Sequence, residues 1–88
     1  MKVIWKYELE TTDYQEIEMP FEAKILTVQI QNETPYIWVL CDPNIRKQPR
    51  LIRIIGTGHE REYIEGTYIG TYQLNDGALV FHVFAEIS

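Results

Sequence analysis

Apolar and polar residues alternate at period two through most of this chain, which predicts strands rather than helices. Val3, Trp5, Tyr7 and Leu9 alternate with Lys2, Lys6 and Glu8, the pattern of a half-buried strand. A turn around Thr11, Thr12 and Asp13 leads to a short polar strand near Gln15–Met19, which Pro20 ends or confines to an edge. Over Ala23–Gln31 the pattern sets Leu26, Val28 and Ile30 on one face and Thr27, Gln29 and Gln31 on the other. Asn32–Pro35 reads as a hairpin connection into Tyr36–Cys41, whose β-branched and aromatic residues suit a central strand. Asp42, Pro43 and Asn44 break that strand, and Ile45–Arg50, polar and flanked by prolines, is expected to be a loop. Leu51–Ile55 resumes a strand, and Gly56–Glu62 is an exposed turn. Asn75, Asp76 and Gly77 form the clearest hairpin signal, because Asp-Gly accepts positive φ. The closing strand Ala78–Ala85 is apolar on both faces (Leu79, Phe81, Val83 against Val80, His82, Phe84), so both are expected to be covered.

Gly66, Tyr68, Gly70, Tyr72 and Leu74 share one face at this period, and Thr67, Ile69, Thr71 and Gln73 the other. Glycine weakens a strand, so two on one face imply a close approach by an aromatic ring, another chain or a ligand. Trp5 and Trp38, each on an aromatic alternation, are expected in the core. No stretch keeps an i, i+3, i+4, i+7 apolar stripe without meeting proline or glycine. The expectation is therefore an all-β fold: a small antiparallel sandwich or barrel of seven to eight short strands, with residues 1–88 as a single β domain.

Composition narrows the function classes. Cys41 is the only cysteine, which removes a disulfide framework and a cysteine-based zinc site; within Ile37–Cys41 it reads as a small buried hydrophobe. No stretch is apolar enough to span a membrane, and the opening residues lack the form of a signal peptide. The expected setting is cytoplasmic. A net charge of −5 speaks against a general nucleic-acid binder. The charge is uneven, however. Residues 1–22 hold six carboxylates against two lysines, whereas residues 44–61 hold five basic side chains against Glu60 alone. That basic segment leaves room for one anionic partner, or is simply a solvated surface.

Catalytic chemistry finds little support. Ser88 is the only serine and His59 and His82 the only histidines. A Cys-His pair would need Cys41 exposed, and no spacing marks a metal site or a cofactor. His82, between Phe81 and Val83, reads as a satisfied core or interface histidine. The chain is thus expected not to be an enzyme, and to carry no metal and no cofactor. The best candidate for a binding site is the region around Gly56-Thr57-Gly58. Arg53 and Arg61 bracket this turn, Thr57 and His59 lie within it, and Tyr68 and Tyr72, with Tyr63 nearby in sequence, offer stacking surfaces. Guanidinium, hydroxyl and aromatic groups together suit a small anionic, nucleotide-type ligand. The opposing reading is a glycine-permitted turn, with the tyrosines packed in the core.

The segments Ile4–Tyr7, Ile17–Pro20, Ala23–Leu26, Ile37–Pro43, Gly56–His59, Tyr68–Leu74 and Leu79–Phe84 resemble a family of short uncharacterised proteins encoded by bacteriophages and prophages. The resemblance implies a setting, the cytoplasm of an infected bacterium, and no functional residue. Small phage proteins without catalytic residues often counter host defence. The expectation is a non-enzymatic binding protein that blunts a bacterial immune system, by sequestering a nucleotide-type signal or by masking a host defence protein. The alternative is a structural or assembly protein forming a symmetric homo-oligomer, with the two-faced closing strand as contact.

Overall fold

A computed structural model describes residues 1–86 as seven strands. They are β1 (Val3–Glu8), β2 (Tyr14–Pro20), β3 (Lys24–Gln31), β4 (Thr34–Cys41), β5 (Lys47–Gly56), β6 (Thr67–Leu74) and β7 (Leu79–Ala85). Two antiparallel sheets form, ordered β1-β4-β3 and β2-β5-β7-β6. They stack as an open sandwich rather than closing into a barrel. Ile25, Val28, Ile37 and Val39 from one sheet meet Met19, Ile52, Ile54 and Val83 from the other, and all are buried. Cys41 is buried among them, and burial, aided by Asp42, pushes its thiol pKa above the ordinary value.

The turns follow local chemistry. Asn32 and Glu33, with φ of 50° and 66°, make the two-residue β3–β4 hairpin. Asn75, Asp76 and Gly77 all take positive φ between β6 and β7. β4 is the central strand of its sheet, as its composition predicts. Ile45–Arg50, by contrast, is not all loop, because β5 begins at Lys47 and carries Pro49. The register of β7 on β5 reaches only Ile52↔Ala85, so along Lys47–Arg50 β5 has just β2 beside it. A strand that is locally an edge tolerates proline.

Two bulges defeat simple alternation. One, between Ile25 and Thr27, turns Leu26 outward while Ile25 and Val28 both point into the core. The other, between Tyr68 and Gly70, faces Ile69 and Gly70 inward together. Beyond it the parity of β6 is reversed. Tyr68, opposite Phe84, is exposed, whereas Tyr72, opposite Phe81, is buried. The two tyrosines therefore do not share a face, because one extra residue flips every side chain beyond it.

Gly70 also answers what comes close to the β6 backbone. A Cβ there would lie 2.7 Å from Cγ1 of Val28 on β3. The neighbour is the opposite sheet, not a ring, a ligand or a second chain. Gly66, just before β6 at φ 101°, lies against the backbone of Ala85.

Trp5 packs on the core as expected, with Lys47 Nζ 5.8 Å from its ring. Trp38 does not. It pairs with Lys6 and Thr27 on the outer face of the three-stranded sheet, since its neighbours Ile37 and Val39 are the ones that point inward. Lys6 Nζ lies 4.5 Å from the Tyr36 ring and 5.9 Å from that of Trp38. At one end of the sandwich Arg50 is buried, donating from Nη1 to Ala23 O at 2.7 Å and from Nη2 to Glu86 O at 2.8 Å. It thereby ties the crossover between the sheets to the end of β7.

Two substitutions test the close approach. Gly70→Ala should destabilise by about 1–3 kcal/mol, because the buried, stiff Val28 cannot rotate away. With Val28→Ala in place the same change should become neutral or stabilise by about 0.4–1 kcal/mol, the ordinary effect of alanine at a compatible φ. Chemical denaturation of the four proteins measures this coupling. Equal costs in both backgrounds would mean that Val28 does not set the requirement for glycine.

Candidate functional site

The outer face of the four-stranded sheet collects most of the residues the sequence singles out. Its registers lay Tyr14, Arg53, Phe84 and Tyr68 in one row across β2, β5, β7 and β6. Tyr68 and Phe84 meet edge to face, with ring centroids 5.5 Å apart. The next row holds Ile55, His82 and Thr71. Alternation along each strand puts these side chains outward because Ile52, Ile54, Val83 and Ala85 take the inward positions.

The connection between β5 and β6 folds back over this face. Arg61–Glu65 and Asp13 join Arg53 and Ile55 around an open cleft of about 520 Å³, and Ile55 is buried beneath. Both arginines at the cleft have carboxylate partners. Arg53 Nη2 lies 3.7 Å from Glu65 and Arg61 Nη2 3.4 Å from Asp13. With Glu62 also lining it, the cleft holds three carboxylates against two guanidiniums. Exposed pairs like these are weak, but they leave no net positive field for an anion.

Beside the cleft, His82 anchors a hydrogen-bonded chain. Thr57 N and Oγ1 donate to Val80 O at 3.0 and 3.3 Å. The Thr57 hydroxyl also lies 2.7 Å from His82 Nε2. Thr71 Oγ1 lies 2.9 Å from His82 Nδ1 and 2.5 Å from the Tyr68 hydroxyl, so hydrogen bonds link Thr57, His82, Thr71 and Tyr68 in sequence. Both ring nitrogens of His82 therefore have hydroxyl partners, Thr57 and Thr71, and His82 is a satisfied histidine.

Of the six residues proposed from sequence, Arg53 and Arg61 share the cleft, and Thr57 and Tyr68 belong to the adjoining chain. His59 and Tyr72 lie elsewhere. The His59 ring rests over Gly56 near Thr11 and Phe81, at the end of the sandwich; a Cβ on Gly56 would sit 2.9 Å from it. Gly58, at φ 86°, supplies the turn that carries it there. Tyr72 is inside the sandwich, with its hydroxyl 2.8 Å from Thr11 Oγ1. The rest of the basic segment is also engaged within the chain, with Arg46 over Phe21, Lys47 over Trp5 and Arg50 buried.

Sequence reasoning passed over Tyr14 and Ile64 and took Tyr63 only as a further stacking surface; all three are exposed on this face or its loop. The available signal was an aromatic residue at the Glu16–Glu18 parity of β2, and an apolar pair inside a charged loop. Among the described residues, no three His, Cys, Asp or Glu side chains gather as a metal-binding group, and no helix is long and apolar enough to cross a membrane.

With the geometry in place, comparison with known proteins adds a family. A domain described as a domain of unknown function, DUF7352, matches residues 1–88. The chain belongs to the DUF7352 family. Neither the curated proteins nor the solved structures contain a match to it.

The buried position of Tyr72 has a measurable consequence. Burial raises its phenol pKa above 10.0, outweighing the opposing Thr11 hydrogen bond, and burial with Cys41 raises that of Tyr7. Folding therefore favours the neutral phenols. This stability is complete below about pH 10 and is lost as pH climbs through the raised folded-state values. Urea midpoints should fall steeply above pH 10, and less steeply in Tyr72→Phe. An identical alkaline slope in that variant would place Tyr72 in contact with water.

Proposed function

We propose that this DUF7352 protein is a non-enzymatic binding protein whose outer four-stranded face contacts a protein partner. The row Tyr14–Arg53–Phe84–Tyr68, with Tyr63 and Ile64 beside it, carries this reading. Tyr14, Tyr63 and Tyr68 are 60%, 71% and 55% exposed. Tyrosine and arginine are the residue types that dominate protein interfaces, because they offer large, fairly rigid contact areas with a polar tip. The carboxylates paired with Arg53 and Arg61 favour a protein partner over sequestration of a nucleotide. The likeness to phage and prophage proteins supplies the biological setting, in which the partner is a bacterial defence protein masked by this face.

The test is affinity capture with chemical crosslinking in phage-infected bacteria, comparing the parent with an Arg53→Glu, Tyr68→Ala variant. The parent should capture a defence protein through residues 14, 53, 63 and 68, and the variant should lose it. Melting of the variant should stay within a few degrees of the parent, since both side chains are outside the core. Undiminished capture by a folded variant would remove this face from the reading. Loss of self-association instead would favour the homo-oligomeric assembly protein. Calorimetric heat with a cyclic or linear nucleotide, abolished by Arg53→Ala, would restore signal sequestration.

A further inference from the structure

Arg50 is 6% exposed, and a buried cation ordinarily has an anion beside it. Among the described residues it forms no ion pair. Its two hydrogen bonds go to uncharged carbonyls, Ala23 O and Glu86 O, and Nε–H is buried with no acceptor among the described residues. A guanidinium carries five N–H donors in a planar fork that fits a carboxylate, so three remain unused by these bonds. Desolvation pulls the pKa of Arg50 below its ordinary value, with Glu86 opposing.

The guanidinium borders a cleft of about 290 Å³ between β3 and the start of β6. Ala23, Ile25, Ile69 and Ala85 give it mostly apolar walls. Its charged groups are Arg50, Lys24 and Glu86, an excess of one positive charge. Glu86 Oε1 accepts from Leu51 N at 3.1 Å, so this carboxylate is held by the β5 backbone rather than by the guanidinium. An apolar slot with an unmatched cation at its wall has the chemistry of a site for an anion with a hydrocarbon body.

We propose that the Arg50 cleft binds a carboxylate attached to a short branched aliphatic group. Either a free branched-chain acid or the C-terminal leucine of a peptide presents this chemistry. The carboxylate takes the unused Arg50 donors, and the branched carbons contact Ile25 and Ile69. The site is separate from the aromatic outer face, because its walls come from inward-facing residues at the end of the sandwich.

The experiment is a nuclear magnetic resonance titration of the full chain with four probes: 4-methylpentanoate, 4-methylpentanol, Gly-Gly-Leu and Gly-Gly-Leu-amide. A carboxylate probe should produce saturable shifts at Arg50 Nε–Hε and at the Ile25, Ile69 and Ala85 methyls. The matched neutral probe should bind at least about tenfold more weakly, the effect of losing a charge-assisted contact. Response to the free acid alone assigns a small metabolite-like ligand; response to the peptide alone assigns a protein C-terminus. Because Arg50→Lys risks unfolding, Thr67→Trp provides the control. It fills the cleft mouth from an exposed position, and should abolish the shifts while leaving melting unchanged. Equal binding of charged and neutral probes, persistence of the shifts in folded Thr67→Trp, or no saturable shift with either carboxylate would overturn the proposal.

Discussion

The contact of Val28 with the bare backbone at Gly70 sets the geometry on which the rest of this sandwich depends. β3 and β6 are the strands of opposite sheets that come closest, and at this point the Val28 side chain takes the space a Cβ on Gly70 would need. The bulge in β6 reconciles that approach with a filled core, since Ile69 adds volume beside the place where Gly70 removes it. The same bulge reverses the parity of the strand. Tyr72 is thereby carried into the core, and Tyr68 is left on the surface against Phe84. Packing between the sheets thus decides which tyrosine reaches the surface.

Charge is arranged by a second constraint. The basic segment from Arg46 to Arg61 meets partners from the same chain at each of its five cations: two aromatic rings, two carboxylates and a pair of backbone carbonyls. The acidic first quarter supplies one of these through Asp13. What looks in sequence like one anion-binding patch is dispersed over the chain, with two of its charges neutralised by carboxylates. For the protein partner proposed above, the rim pairs on the outer face would act chiefly on encounter rate and choice of partner, while the aromatic row offers contact area.

The strands were legible wherever alternation ran unbroken. β1, β4 and β7 follow their patterns, and Asp76-Gly77 marks its hairpin. Four features were hidden, each for a physical reason. A bulge adds one residue without any fixed sequence mark, so the faces of Leu26 and Tyr72 were misassigned. Pro49 hid the start of β5 because an edge cannot be recognised before the strand order is known. Trp38 alternates with apolar residues on both sides, so parity alone gave no inner face. The site was half legible: Arg53, Arg61, Thr57 and Tyr68 do converge, but their carboxylate partners, distant in sequence, were invisible.

Two inversions of ordinary placement remain after the fold is explained. Aromatic side chains that the core does not use stand on the surface at Tyr14, Tyr63 and Tyr68, and a charge that water would solvate is buried at Arg50. Neither is required by the sandwich as such. An outward position on β2 or β6 accepts threonine or lysine equally well, and two carbonyls at a sheet end can be satisfied by neutral donors. Arg50 does serve the fold by linking Ala23 to Glu86, but two hydrogen bonds use only part of a five-donor fork. Departures from consistency tend to fall where a protein meets something else. Here they fall at two different places, one on the flat outer face and one at the sandwich end. A large surface suits a macromolecule and a small apolar slot suits a small group. On the two proposals made above, the sites would differ in the class of partner they admit as well as in position.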